Sequence, residues 1–113
     1  MVTEVFPAPV TDLPQAEIPL QGVTAYLLQA KNHQVIFMQF AEDVNVPEHF
    51  HESQWEIVLE GRVELSIDGA RRTYSKGDRF FIPKGVKHSA RVFAGYTAFG
   101  FFNQADRYKV KPG

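Results

Sequence analysis

The sequence predicts an all-β fold of a single domain, an antiparallel sandwich or closed barrel. Three observations predict it. Short runs rich in Val, Ile, Phe and Tyr follow one another from Val23 onward, broken by turn residues at close spacing. No stretch repeats its apolar residues with a helical period, and there is no internal repeat. Between "EIVLEGRVELSI" and "ARRTY" stands Asp68-Gly69, a strong signal for a two-residue hairpin. The length of 113 residues suits one domain, and 44% hydrophobic content with ten Phe is ample for one core.

Taken in order, residues 1 to 20 hold Pro7, Pro9, Pro14 and Pro19 and read as a proline-rich N-terminal arm, extended or irregular, because proline donates no ladder hydrogen bond. The barrel then covers residues 21 to 113. "VTAYLLQA" and "VIFMQF" flank the polar turn KNHQ. "SKGD" leads into "RFFIP", "KGVKH" into "SARVF", and Ala94-Gly95 into "YTAFGFF". The tail NQADRYKVKPG is polar and is expected to pack only in part.

Composition narrows function. A net charge of −1 with a pI near 6.4 carries no basic footprint for nucleic acid. No apolar run approaches the ~20 residues that span a bilayer. The start, MVTEVFPAPV, lacks the basic and apolar character of a signal peptide, so a cytoplasmic location is expected. Zero cysteines exclude disulfides and thiolate metal sites.

Four histidines are present, and two of them stand at i and i+2 in "PEHFHESQWEIVLEG". Alternate residues of a strand share a face, so His49 and His51 point the same way. If Glu52-Ser53 is a two-residue hairpin turn, His51 lies opposite Gln54 and His49 opposite Glu56, and all four form one polar cluster. Phe50, Trp55 and Ile57 fall on the other face. Two imidazoles, an amide and a carboxylate are costly to bury unless something satisfies them. A divalent cation would do so, because neutral imidazole is the commonest transition-metal ligand in proteins. Farther on, "GDRFFIPKGVKH" delivers a third histidine, His88, after a Pro-x-Gly turn.

On these residues the chain resembles a small single-domain cupin, from about residue 22 to 103. The family's second motif, G-x5-P-x-G-x2-H-x3-N, is matched by Gly77, Pro83, Gly85 and His88, with Val92 at the Asn position. The first motif, a glycine, five residues, HxH, three or four residues, Glu, six residues and Gly, is matched by His49, His51 and Gly61. Asn45-Val46-Pro47-Glu48 stands in the approach where the leading glycine belongs. The resemblance implies a jelly-roll barrel (an antiparallel double-stranded β-helix) and one divalent transition metal, Fe, Mn, Ni, Zn or Cu, on His49, His51 and His88. For the fourth ligand, counting six residues back from Gly61 gives Gln54, and counting four on from His51 gives Glu56. Gln54 is favoured, because the strand into "VLEG" holds register better than a turn holds length. Some cupins acting on uronates or flavonols are similar in placing Gln or Glu here. Glu56 then becomes a pocket carboxylate and the candidate general base, although a structural ion pair is the alternative.

Other residues have plainer readings. His33 reads as a solvated loop residue, and Arg71, Arg72, Lys84 and Lys87 as surface charge. Trp55 is expected between sheets or at a dimer contact. "YTAFGFFN" reads as core, with one or two rings at the barrel mouth.

The leading functional expectation is a metalloenzyme acting on an oxygen-bearing small molecule held in the barrel. It would be a sugar- or acid-like isomerase or lyase, or an oxygenase if the metal is redox-active. The alternative is a non-catalytic ligand-binding or sensory module, and a third is a metal-free structural barrel, since fold alone does not choose. A homodimer is expected, because the arm has little chain around it to bury Val5, Phe6 and Val10.

Overall fold

A computed structural model describes residues 5–112 of the chain; the first four residues of the arm lie outside the described residues. Nine strands follow a four-residue helix, α1 (Ala8–Thr11): β1 (Val23–Gln29), β2 (Gln34–Phe40), β3 (Val44–His49), β4 (Gln54–Glu60), β5 (Arg62–Ile67), β6 (Ala70–Ser75), β7 (Arg79–Ile82), β8 (His88–Val92) and β9 (Thr97–Phe102). They build two antiparallel sheets, one ordered β1-β2-β9-β4-β7 and the other β3-β8-β5-β6. This is the predicted antiparallel all-β architecture.

Alternation assigns the faces. On β2 the side chains of Gln34, Ile36, Met38 and Phe40 are buried while those between are half-exposed, and on β4 the buried set is Gln54, Glu56 and Val58. Opposite them the second sheet contributes Val63, Leu65 and Val92. Val92, at the position where an Asn was expected by resemblance, is core: it is 4% exposed and pairs with Val44 and Val63.

The hairpin at Asp68-Gly69 is as predicted. Ile67 pairs with Ala70, and both turn residues have positive φ, 49° and 83°, the backbone of a type I′ turn.

The hairpin expected at Glu52-Ser53 does not exist. β3 pairs with β8, whereas β4 pairs with β7 and β9, so the two segments belong to different sheets. The reason is local. A two-residue hairpin needs positive φ, and among the described non-glycine residues only Asp68 adopts it. Glu52 and Ser53 instead bridge the sheets, with the His51 carbonyl accepting from Gly85 N–H at 3.0 Å and the Ser53 carbonyl from Asn103 N–H at 2.9 Å.

The described part of the arm is covered in part. Phe6 is 6% exposed, packed edge-on against Tyr26 and Phe37 at centroid distances of 6.3 and 5.6 Å. Its burial therefore comes from its own chain and needs no second copy, which corrects the motive for expecting a dimer as far as Phe6 is concerned, while Val5 stays 40% exposed and Val10 is half-buried. Farther on, the arm lies between β1 and the tail. Ala16 N–H donates to Ala25 O and Leu27 N–H to Pro14 O, while Glu17 N–H donates to Lys109 O and Lys111 N–H to Gln15 O.

Gly61 joins β4 to β5 with φ of 75°, and a Cβ there would come 2.8 Å from the Tyr96 Cα. Gly69 has φ of 83° and open space around it. Gly69→Ala is expected to cost about 1–2 kcal/mol from left-handed backbone alone. Gly61→Ala should cost distinctly more, because backbone must move as well. Urea denaturation of both variants checks this, and equal losses would show that the approach to Tyr96 carries no weight.

Candidate metal centre

The three histidines meet because two strands and two loops bring them to one end of the barrel. His49 and His88 are direct partners across β3 and β8, next to a register break that follows Val46. His51 lies two residues farther, fixed by the Gly85 bond to its carbonyl. The Pro83-x-Gly85 turn thus docks directly on the HxH segment. Ring centroids are 4.2 Å apart for His49–His88, 4.7 Å for His51–His88 and 5.2 Å for His49–His51. One nitrogen from each ring lies within 4.8 Å of the others.

Each ring is oriented by a backbone carbonyl within two residues of it in sequence. Nδ1 of His49 donates to Pro47 O at 2.8 Å, Nδ1 of His51 to Glu52 O at 2.7 Å, and Nδ1 of His88 to Val86 O at 2.9 Å. A carbonyl only accepts, so each Nδ1 carries the proton and each neutral ring keeps its lone pair on Nε2. The Nε2 atoms of His51 and His88 are 3.1 Å apart. Two lone pairs at that distance repel unless a cation or proton lies between them. Burial lowers the pKa of His51 from 6.5 to about 4, with the positive charges of Arg107 and the neighbouring imidazoles adding to the effect, and burial likewise lowers that of His88. Neutral imidazoles with backbone-fixed tautomers and converging lone pairs are what a divalent cation requires.

Gln54 and Glu56 point into the same cavity from β4. Gln54 Nε2 donates to Glu56 Oε1 at 2.8 Å, which leaves the amide oxygen as the donor atom of Gln54. Tyr96 donates its hydroxyl to the other carboxylate oxygen. Burial raises the pKa of Glu56 from 4.5 to about 7, an effect the two hydrogen bonds offset only in part. Burial and the facing carboxylate together push the Tyr96 phenol well above its ordinary value. Across the ladder from Glu56 stands Gly100, where a Cβ would come 3.2 Å from Oε1, so glycine leaves room for the carboxyl group. Among the described residues no cation is within ion-pair distance of Glu56, so the ion-paired reading of it is not what the fold contains.

The cavity has a volume of about 560 Å³, apolar along much of its wall, with the histidines in its lining. Arg107, Tyr108 and Lys109 also line it, and sequence reasoning missed all three. They belong to the tail, which is held by amide side chains: Gln34 donates to Tyr108 O and accepts from Tyr108 N–H, both at 2.9 Å, and Gln29 donates to Ala105 O at 2.9 Å. Tyr96, read as core, is both core and site.

The remaining sequence candidates lie elsewhere. His33 stacks against Phe101 at 5.1 Å, away from the cavity lining. Trp55 is 36% exposed on the outer face of its sheet, so it does not pack between sheets: its phase on β4 is opposite to that of Gln54 and Glu56. Lys84 meets Glu52 at 3.5 Å on the surface, and Arg71, Arg72 and Lys87 are exposed.

Comparison with known proteins agrees with this geometry. Residues 36–94 match the family model described as cupin domain. No curated protein matches the chain. Among solved structures, KdgF from Halomonas sp. is similar, with a TM-score of 0.70 and 21% identity over 81% of this chain and 88% of that one. An RmlC-like cupin from Shewanella frigidimarina gives 0.73 and 24% identity over 93% and 94%. Oxalate decarboxylase from Bacillus subtilis, a protein with Mn(II) centres, gives 0.71 and 19% identity over 86% of this chain and 29% of its own. At these identities the likeness is one of fold.

His49→Ala, His51→Ala and His88→Ala are each expected to lower bound metal sharply in protein purified without chelator, while circular dichroism keeps its β signature. Full metal occupancy in one variant would remove that histidine from the ligand set.

Proposed function

The chain belongs to the cupin domain family, and on that premise we propose that it is a metalloenzyme holding one divalent transition metal on His49, His51, His88 and Gln54. Its substrate is an oxygen-bearing small molecule in the barrel cavity. The observation that carries this reading is the set of three Nδ1–carbonyl bonds, which leave the Nε2 lone pairs free on three rings whose ligand nitrogens lie within 4.8 Å of one another. A divalent cation bound there supplies Lewis acidity toward an oxygen of the substrate, and redox chemistry if it is iron, copper or manganese.

The chain's own residues divide the remaining work. Glu56 holds the Gln54 amide nitrogen and so presents its oxygen. The Glu56 carboxylate lies outside the group whose ligand atoms are all within 4.8 Å of one another, which weighs against Glu56 as the added ligand. Glu56 lines the cavity with two neutral hydrogen-bond donors on it and no paired cation, the setting of a carboxyl group that takes up and releases a proton on the substrate. Apolar walls from Met38, Phe40, Val63 and Phe80 exclude water around it. The class of reaction is isomerisation, elimination or oxygenation on a sugar- or acid-like compound.

Metal analysis of two variants tests this assignment. Gln54→Ala should weaken metal affinity by ~10-fold or more, whereas Glu56→Gln should keep the metal. The reverse pattern would make Glu56 the ligand, and no change in either would leave three histidines alone.

The functional unit is a homodimer built on the outer face of the five-stranded sheet. One row of cross-strand partners runs Leu28, Val35, Phe101, Trp55, Phe81 through all five strands. Leu28, Phe101, Trp55 and Phe81 are 48%, 37%, 36% and 56% exposed. From the areas of such side chains the row presents on the order of 350 Å², about half of the ~800 Å² each partner buries in a standard interface. The polar positions around it supply the rest. Sedimentation should give the mass of two chains at micromolar concentration, and Phe81→Glu should give one. A wild-type mass of one chain would remove this interface.

A further inference from the structure

We propose that Arg107 is the carboxylate-recognising residue of the cavity, so that the ligand is a small organic acid with its carboxylate on the guanidinium and another oxygen toward the histidines. This deepens the metalloenzyme reading and rests on it for the second contact and for the net charge of the cavity.

Arg107 is the anomaly of the structure. Its Nε is buried without a hydrogen-bond partner. Among the described residues the two ion pairs are Lys76–Glu60 and Lys84–Glu52, and no carboxylate pairs with Arg107. A guanidinium is always charged, so removing even this one donor from water without an acceptor is unfavourable, while the half-exposed remainder of the group stays open to a ligand. Yet the residue is held firmly in place. Its guanidinium carbon lies 4.6 Å from the Tyr108 ring centroid and 5.9 Å from that of Phe102. The backbone beside it is clamped by the two Gln34 bonds to Tyr108. Phe102 in turn packs on His51 at 5.4 Å, so one aromatic ring separates the guanidinium from the histidine cluster. Arg107 also lines a smaller cavity of about 390 Å³ with His49, Phe50, His51 and Gln104, and so stands where both spaces reach the cluster.

Charge and shape both select an organic acid. The imidazoles and Gln54 are neutral ligands, and the Glu56 carboxylate is taken up by Tyr96 and Gln54. Glu17 and Glu56 offset Arg107 and Lys109 in the lining, so a divalent metal on the neutral histidines would leave the cavity positive, and an anionic ligand balances it. A planar guanidinium presents a fork that matches the two oxygens of a carboxylate. A phosphate dianion needs more donors than this apolar wall supplies, since Arg107 and Lys109 are the only lysine or arginine in the lining and Lys109 is exposed.

The experiment measures metal content first, then binding by thermal stabilisation, for matched acid and neutral probes: glucuronate with glucose, pyruvate with hydroxyacetone, benzoate with benzamide. Inorganic phosphate is run alongside. In wild type at least one acid should bind tighter than its neutral partner, on the order of tenfold to a hundredfold for a charge-assisted pair. Arg107→Gln should abolish that preference with metal content unchanged, and Arg107→Lys should restore part of it. Gln34→Leu, a positioning change, should weaken acid binding and leave the metal alone. No acid preference in wild type, a preference that survives Arg107→Gln, or phosphate binding as tightly as the acids would each overturn the proposal. Metal missing from wild type with an Arg107-dependent acid preference intact would overturn the metal-site reading alone. Metal present with no dependence on Arg107 would overturn this proposal alone.

Discussion

One carboxyl group sealed inside an apolar barrel sets the terms for what surrounds it. Glu56 is 4% exposed and has no cation beside it, so its cost of burial is met by two neutral donors, Tyr96 and Gln54. Each donor is itself immobilised. Tyr96 is fixed by bonds from Phe40 N–H to its carbonyl and from its own N–H to Phe93 O, and by the side-chain-free approach of Gly61. Gln54 is fixed by its register opposite Phe102 and Ile82. Gly100 completes the arrangement by leaving the space the carboxyl group occupies. A slip of one residue on β4 would send Glu56 to the solvent face and Trp55 into the barrel, so this one group ties the register of β4, β7 and β9 to the interior chemistry.

The histidine cluster obeys a different logic, because its orienting bonds are short in sequence. His49 and His88 each bond the carbonyl two residues back and His51 the one next on, so each ring's tautomer and orientation are set by the local backbone. Rings held this way stand in ligand geometry as a property of the folded chain, the kind of supporting shell that keeps a metal site precise. The long-range part of the design is confined to two backbone links, the His49–His88 pairing and the Gly85 bond to His51.

These two logics explain what the sequence disclosed and what it withheld. Strand alternation and the Asp68-Gly69 turn are local properties, and the fold followed from them. The inward direction of His49, His51, Gln54 and Glu56 was also legible, because each pair alternates correctly within its own strand. Their direct pairing was not: it assumed a hairpin where neither Glu52 nor Ser53 takes left-handed backbone, and the true partner of His49 lies 39 positions on, at His88. Arg107 was hidden for another reason. Its place depends on an amide side chain bonding the backbone of a tail with no strand pattern, and neither periodicity nor composition marks such a clamp.

The position of β9 has a consequence for how the chain comes to be folded during synthesis. The last strand made is the middle strand of its sheet, inserted between β2 and β4. Every strand of the other sheet precedes it, since β8 ends at Val92. A nascent chain released that far already contains all three histidines on segments able to pair, whereas β2 and β4 still face each other across an empty place with unpaired edges. Glu56 has no phenol to lean on until Tyr96 emerges, and the tail that carries Arg107 follows later still. The ribosome therefore delivers the half of the molecule that carries the three histidines first and the strand and tail that bring Tyr96 and Arg107 last, with exposed strand edges as the hazard of the interval.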